Sequence, residues 1–215
     1  DASLIIRAPY STPMDFIENF VFKKRFWIKE KQEFIKERRK KIVPKEFVSG
    51  ESFLYLGNMY KLEFVDLECD SKPQLYKRED KLSHSIVFDN GFQISHKHLP
   101  VAKDILIAWY KEQACQKISE RARWHSSLSG LKYNKIRISN ALMRWGSCSA
   151  KGNLNFSWRL IMAPLVVIDY VVIHELAHIE QKNHSKYFWN KVKIMLPDYG
   201  QYRKWLKENT HLLAI

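Results

Sequence analysis

The most informative segment of this chain is His174–His184, which reads HELAHIEQKNH. His174 and His178 are four residues apart, and on an α-helix this spacing places both imidazoles on one face, about one turn apart. Two imidazoles placed in this way can bind one tetrahedral zinc ion. Glu175 follows the first histidine, so its side chain projects beside such an ion, where a base for a metal-activated water must lie. The segment therefore predicts a metal-binding helix.

His184 is the third histidine of the segment, and it lies too far along the chain to share the helical face of the other two. We therefore expect the helix to end near residues 180–182 and the chain to turn back. Asn183 is the natural pivot, because Asn tolerates a left-handed backbone conformation better than other non-glycine residues. The next helix is expected to begin near Ser185. This turn predicts a third ligand on the same ion.

Two structural interpretations of the segment remain open. The first is a surface helix with incidental His and Glu residues, and the apolar run at residues 165–173 argues against it, because such a run is typical of a buried helix. The second is a closed structural zinc site, which needs a fourth ligand, usually Cys. No Cys lies close to the segment in sequence, although Cys148 could approach it in space.

Composition narrows the class of protein. Of the 215 residues, 46% are apolar and 27% are charged, which excludes a disordered chain and a collagen-like chain. The net charge of +13 favours acidic partners or polyanions. The cysteines Cys69, Cys115 and Cys148 form no CxxC pair, so we expect a reducing, cytoplasmic compartment rather than a disulfide framework. No apolar run is long enough to cross a bilayer, so no membrane association is expected.

The pattern along the chain predicts an α+β protein. Hydrophobic periodicity and the placement of Pro and Gly indicate a strand at residues 3–8, a long helix from Pro13 to about 41, hairpins at 52–65 and 85–95, a helix at 100–127, strands at 135–139, 143–148 and 153–160, and helices from Pro164, at 185–196 and at 199–208. We expect an N-terminal region, residues 1–99, whose basic helix and β-hairpins pack on a second region, residues 100–215. The second region combines a mixed sheet with the histidine-bearing helix, and the two regions can share one core.

Residues 23–41 of the predicted N-terminal helix are rich in Lys and Arg. A basic stretch of this kind can bind the phosphates of DNA or RNA. It can equally be a solvated helix face, which is the more common role of a run of charges. Both interpretations of this stretch remain open.

Several further segments resemble one known family. The strand Arg144–Cys148 reads RWGSC, residues 160–164 read LIMAP, and residues 183–189 read NHSKYFW. Together with HELAH, these segments resemble the YgjP-like family of zinc metallopeptidases, a gluzincin-type group that is similar to SprT-like proteases. The resemblance is densest over residues 136–213. It implies that residues 100–215 form a gluzincin-like catalytic unit.

The resemblance also implies an activity, the hydrolysis of peptide bonds in a peptide or unfolded protein. It implies that His174, His178 and His184 bind one zinc ion and that Glu175 is catalytic. On this interpretation, Glu175 takes a proton from a zinc-activated water, which attacks the peptide carbonyl, and then passes the proton to the leaving amine. SprT-like proteases act at DNA, which agrees with a basic N-terminal helix.

Two sets of residues are candidates for contacts with the substrate. The oxyanion needs one donor besides the metal, and the candidates, for each of which ordinary packing is the alternative, are Tyr199, Tyr202, Arg203 and His211. An edge strand can pair with an extended substrate, and the candidates, for which a core hairpin is the alternative, are Arg144, Trp145, Gly146, Ser147 and Cys148. Cys148 can be a regulatory thiol near the metal or a small buried thiol.

Two other functions compete with a peptidase. One is a nucleic-acid-associated module whose zinc site is structural or vestigial. The other is a metal-bound scaffold that recognises extended peptides without cutting them. Glu175 favours hydrolysis, because a structural site has no need of a carboxylate beside an open coordination position.

Overall fold

The computed structural model describes residues 4–40, 44–66, 86–142 and 144–215, without the side chains of residues 34, 35 and 38–40. The chain divides into two compact units, Asp1–Pro44 and Lys45–Ile215. Helices and mixed sheets both contribute to the fold, which confirms the predicted α+β class. The sequence predicted a boundary near residue 100, and this position lies inside the second unit. The predicted boundary stays a prediction.

The first unit contains helix α1, Met14–Lys40. The carbonyl of Pro13 accepts a hydrogen bond from the amide of Ile17 at 3.3 Å, so the helix starts where the sequence predicted. The prediction of a strand at residues 3–8 is wrong for residues 4–8, which pair with no strand among the described residues. Residue 3 and Lys41 lie outside the described residues. Nucleic-acid binding by α1 and the packing of this helix stay predictions.

Four strands form the larger sheet of the second unit, in the order β1-β2-β4-β3. Their bounds are β1 Ser52–Tyr55, β2 Asn58–Val65, β3 Ile86–Phe88 and β4 Phe92–Ser95. The pairs β1–β2 and β3–β4 are antiparallel, and β2–β4 is parallel. Both predicted hairpins are therefore confirmed, and residue 85 of the second lies outside the described residues.

The first hairpin has a two-residue turn. Its two residues are Leu56 and Gly57, with φ of 48° and 85°. Positive φ at both positions gives the type I′ turn, which matches the twist of the two strands. The amide of Gly57 donates to the carbonyl of Met162 at 3.1 Å, and a Cβ on Gly57 would lie 2.8 Å from Cγ of Pro164. The turn therefore packs closely on the segment that leads into the histidine-bearing helix.

The smaller sheet has three strands in the order β5-β7-β6, namely β5 Ile136–Ser139, β6 Gly146–Cys148 and β7 Leu154–Ser157. β5 is parallel to β7, and β6 is antiparallel to it. The three predicted strands are confirmed in shorter form, and Met143 lies outside the described residues. Because β6 is at the edge of this sheet, one side of its backbone pairs with no other described strand.

Four helices complete the second unit and confirm the predicted ones, namely α2 Ala102–Ser129, α3 Leu165–Ala177, α4 Lys186–Met195 and α5 Tyr199–Asn209. α2 packs against α3 and against the 3₁₀ segment Trp158–Met162. One hydrophobic core includes residues from Phe47 to Leu213. Among the described helices, none is both long enough and apolar enough to cross a membrane.

Candidate metal centre

Helix α3 positions the predicted site residues. The helix starts directly after Pro164, and the side chains from Val167 to Ile173 are buried because this part lies in the core. His174 and Glu175 follow on the last turn, where the helix reaches a cavity of about 290 Å³. That cavity is lined by Gly146, Ser147, Cys148, His174, Glu175, His178, Lys182 and His184.

The rings of the three predicted ligands converge on one point. Nε2 of His184 lies 3.0 Å from Nε2 of His174 and 3.2 Å from Nε2 of His178. Two nitrogen ligands at about 2 Å from a tetrahedral zinc ion lie roughly 3.3 Å apart, so these spacings fit one ion between the rings. Nδ1 of His178 lies 2.8 Å from the carbonyl oxygen of Gln181, to which it donates. Its Nε2 therefore presents a lone pair to the centre.

The chain reaches His184 by a different turn from the one predicted. α3 already ends at Ala177, and the φ of Asn183 is not positive, so the left-handed conformation expected there is wrong. Instead, Oδ1 of Asn183 accepts a hydrogen bond from the amide of Ser185 at 3.3 Å. Ser185 is in turn the N-cap of α4, as the sequence predicted for the start of that helix. Side-chain hydrogen bonds thus replace the special backbone conformation.

Two aromatic residues of α4 support the three imidazoles. The ring centroid of Phe188, a fully buried residue, lies 4.5–4.9 Å from the centroids of all three histidine rings. The ring of Trp189 stacks on His184 at 5.6 Å and on Tyr199 at 5.3 Å. The sequence pattern alone does not predict a role for these two residues. Their position could have indicated this role, because Phe188 and Trp189 follow His184 by four and five residues, in the helix that begins just after it.

The carboxyl of Glu175 lies beside the histidine cluster. The residue is 5% exposed, and its side chain contacts the backbone of Gly146 in β6. Burial raises the pKa of Glu175 from 4.5 to about 8, although the nearby Arg144 lowers it. A carboxyl with such a pKa gains and loses a proton near neutral pH, which is what a general base has to do.

The rings of His174 and His184 stay neutral under conditions that protonate an exposed histidine. Burial, with contributions from the other two rings and from Arg203, lowers the pKa of His174 to about 3. Burial also lowers the pKa of His184, with contributions from His178 and Arg203. Because the neutral imidazole is the form that binds a metal, His174 and His184 are available as ligands even in mildly acidic solution.

The four tail candidates lie in different surroundings. Tyr199 belongs to the stack on Trp189, and Tyr202 is partly buried against the core. Nδ1 of the exposed His211 lies 3.1 Å from a backbone carbonyl of its own segment. Arg203 is exposed, lies 4.7 Å over the ring of Trp189, and acts on the pKa of two ligand histidines. Of the four, Arg203 has the strongest electrostatic connection to the cluster.

The candidate substrate strand also reaches the cavity. All three residues of β6, Gly146–Cys148, line it. Before them, Arg144 is exposed and Trp145 is partly buried against the core. Burial raises the pKa of the Cys148 thiol, Lys182 opposes this shift and Glu175 adds to it, so the thiol is protonated at neutral pH.

An ion pair that the sequence analysis missed joins α3 to α2. Nε and Nη2 of Arg121 donate to the two carboxylate oxygens of Asp169 at 2.5 and 2.8 Å. Nε2 of His125 lies 3.1 Å from Oδ1 of Asp169. Burial opposes ionisation of Asp169, but these contacts outweigh it and hold its pKa below the ordinary value. The available signal was an Asp inside an apolar helix, because a buried carboxylate requires a partner.

The profile of the YgjP-like metallopeptidase domain matches residues 1–209. The chain belongs to the YgjP-like metallopeptidase family. It is therefore a peptidase with a metal cofactor, and the three-histidine cluster of this YgjP-like chain offers a group of metal ligands. A solved structure similar to part of the chain is the metallopeptidase zymogen of Pyrococcus abyssi abylysin, with 20% identity, coverage of 42% of this chain and 93% of that chain, and a TM-score of 0.39. No curated protein matches the chain.

Proposed function

We propose that this YgjP-like peptidase acts with a single zinc ion bound by His174, His178 and His184, and with Glu175 as general base. The observation that carries the proposal is the convergence of the three Nε2 atoms beside the buried carboxyl of Glu175. The ligand group among the described residues has three members, which is the number typical of catalytic zinc sites; structural sites have four. Neutral imidazoles suit zinc, and three of them leave its positive charge intact.

When bound, the zinc ion supplies a Lewis acid that polarises the peptide carbonyl and promotes the deprotonation of water. Glu175 accepts the proton of the attacking water and then delivers it to the leaving nitrogen, so that one water is consumed for each peptide bond broken. The carboxyl of Glu175 holds the proton between the two transfers.

The backbone of β6 is the proposed binding edge for the substrate. Residues Gly146–Cys148 line the cavity, and β6 has one backbone side that pairs with no described strand. An extended peptide added to this edge would lie along the cavity that holds the histidine cluster and Glu175. We assign stabilisation of the oxyanion to Arg203, because its positive charge acts on the ligand rings His174 and His184.

The experiment that tests the function combines metal analysis with hydrolysis of an unfolded protein. Purified protein should contain about one zinc per chain and should degrade reduced casein, and a chelator should abolish both. Glu175→Gln should retain the zinc and lose hydrolysis by orders of magnitude. His184→Ala should lose the zinc, whereas His211→Ala, which removes an exposed histidine of the tail, should lose neither property.

The competing nucleic-acid function gives a different result in the same experiment. Zinc-loaded protein that binds single-stranded DNA in a salt-sensitive way, but never cleaves casein with or without that DNA, would favour a nucleic-acid module with a structural zinc. Cleavage that Glu175→Gln leaves intact would instead contradict the assignment of the base.

A further inference from the structure

Two basic side chains lie near opposite ends of β6. Arg144 precedes the strand by two residues and is close enough to Glu175 to lower its pKa. Lys182 lines the cavity and is close enough to Cys148, the last residue of the strand, to lower the pKa of its thiol. Both basic side chains are exposed. The edge along which we place the substrate therefore has a positive charge at each end.

Neither charge is neutralised within residues 4–40, 44–66, 86–142 and 144–215. No ion pair in this part of the chain includes Arg144 or Lys182. Glu180 is near Lys182 in sequence, but it pairs with Lys191. Glu175 is the one acidic residue among those that line the cavity. The unpaired cations make the cleft electropositive.

We propose that the cleft selects peptides with carboxylate groups on both sides of the scissile bond, and that Lys182 and Arg144 determine this specificity. The inference rests on the proposed function, because it takes the substrate to lie along β6. Two sources supply this chemistry, namely Asp or Glu side chains and the C-terminal α-carboxylate of a short peptide. Each exposed ion pair should change kcat/KM about two- to fivefold, and added salt should weaken the effect.

Four matched peptides test the preference. They have the same length and share one cleavable core. Three of them are blocked at both ends and have Glu, Gln or Lys on both sides of the core. The fourth has Gln on both sides and a free C-terminus. We expect the Glu peptide to have about a tenfold higher kcat/KM than the Gln peptide, and the Lys peptide to be slowest. If the Gln peptide with a free C-terminus has the same kcat/KM as the Glu peptide, the preference is for the α-carboxylate.

Substitutions then assign the preference to the two cations. Lys182→Glu should bring the Glu and Lys peptides to similar kcat/KM values, because Arg144 still favours Glu at the other end, and Arg144→Gln should reduce the preference about two- to fivefold. Lys207→Gln removes one exposed charge from α5 and is the matched control, since Lys207 does not line the cavity. Zinc content and circular dichroism of each variant exclude a loss of the site or of the fold.

A binding measurement separates this inference from the proposed function. Zinc-loaded Glu175→Gln is titrated with fluorescein-labelled forms of the same peptides, and anisotropy gives Kd at 50 mM and 500 mM NaCl. Tighter binding of the Glu peptide at low salt supports the inference even if no peptide is hydrolysed, an outcome that would overturn only the proposed activity. Equal affinity for the Glu and Gln peptides, or a preference that Lys182→Glu leaves unchanged, overturns the inference.

Discussion

Gly146 and Glu175 are in direct contact, since a Cβ atom built on Gly146 would lie 2.6 Å from both Cγ and Oε1 of Glu175. Cβ atoms do not approach other atoms so closely, so the carboxyl leaves room for glycine alone at this position. The φ of Gly146 is not in the positive range, and its backbone is open to any residue. The contact connects the edge of β6, where we place the substrate, to the proposed general base.

Gly146→Ala should therefore impair catalysis without unfolding the protein. The new methyl group displaces Cγ and the carboxyl of Glu175, which are side-chain atoms, so the backbone can stay in place. A displacement of about 1 Å at a catalytic group can reduce the rate about a hundredfold. We expect kcat/KM on a peptide substrate to fall roughly 10- to 100-fold, with zinc content and Tm retained.

The control for this substitution is Gly200→Ala, because a Cβ on Gly200 meets no atom within 4 Å and Gly200 lies in helix α5. That variant should keep full activity and gain a little stability, since Ala favours helix more than Gly does. Full activity of Gly146→Ala would show that Glu175 does not need the position it has beside β6.

Trp189 supports the third ligand, and its loss should weaken metal binding. The ring of Trp189 stacks on the rings of both His184 and Tyr199, and these contacts restrain the His184 imidazole. Residues that orient a ligand change metal affinity about 10- to 100-fold when they are replaced. We expect Trp189→Leu to raise the Kd for zinc by such a factor in a competition titration with a chromophoric chelator.

Trp27→Leu provides the comparison, because Trp27 lies in α1 and belongs to the other compact unit. Its zinc affinity should equal that of the wild type. If Trp189→Leu and Trp27→Leu both bind zinc as tightly as the wild type, the stack is packing alone and does not hold the ligand.

The spacing of His174, Glu175 and His178 was enough to predict their arrangement, because local geometry fixes it: residues four apart on a helix share a face. The hairpins could be predicted for the same reason, since Gly57 marks the turn of the first, and Asn90 and Gly91 mark the turn of the second. In both cases, residues that are neighbours in sequence carry the signal.

Features that depend on distant contacts could not be predicted in this way. The hydrogen bond from the Ser185 amide to Oδ1 of Asn183 forms a turn without positive φ, and the His184 ring beside this turn packs against Phe188 and Trp189. The partner of Asp169 is 48 residues away on α2. A buried acid predicts that a partner exists, but it does not tell which of the many Arg and Lys residues it is.

The pair between Arg121 and Asp169 should be a major source of stability. Both side chains are mostly buried, and removal of one partner leaves the other charge without compensation, at a cost of about 3 kcal/mol. Arg121→Gln and Asp169→Asn should each lower the free energy of unfolding by about that amount in urea titrations. Their double mutant should lose less than the sum, because both changes remove the same interaction.

Lys117→Gln tests whether this cost is specific to the buried pair. Lys117 forms an exposed pair with Glu120 one turn along α2, and such pairs contribute about 0.5 kcal/mol or less. A loss of stability in Lys117→Gln as large as in Arg121→Gln would contradict the special role of the buried pair.

Glu175 should make the stability of the metal-free protein depend on pH. Burial raises its pKa to about 8 in the folded protein, whereas the exposed carboxyl of the unfolded chain has the ordinary pKa of 4.5. The folded state therefore binds more protons than the unfolded state between these values, so the stability from the neutral carboxyl is complete below about pH 4.5 and is lost as the pH rises through 8. Relative to Glu175→Gln, which cannot ionise, the wild type should lose up to about 1.4 kcal/mol per pH unit in this window.

Urea unfolding of both proteins at pH 5.5, 6.5 and 7.5, in the presence of a chelator, measures this difference. The histidine ligands are the same in both proteins, so their own titration cancels in the comparison. Addition of zinc in place of the chelator should flatten the wild-type dependence, because a nearby cation stabilises the carboxylate and lowers its pKa. Parallel curves for the wild type and Glu175→Gln in the chelator would mean that water reaches the carboxyl in the folded protein and that burial does not raise its pKa.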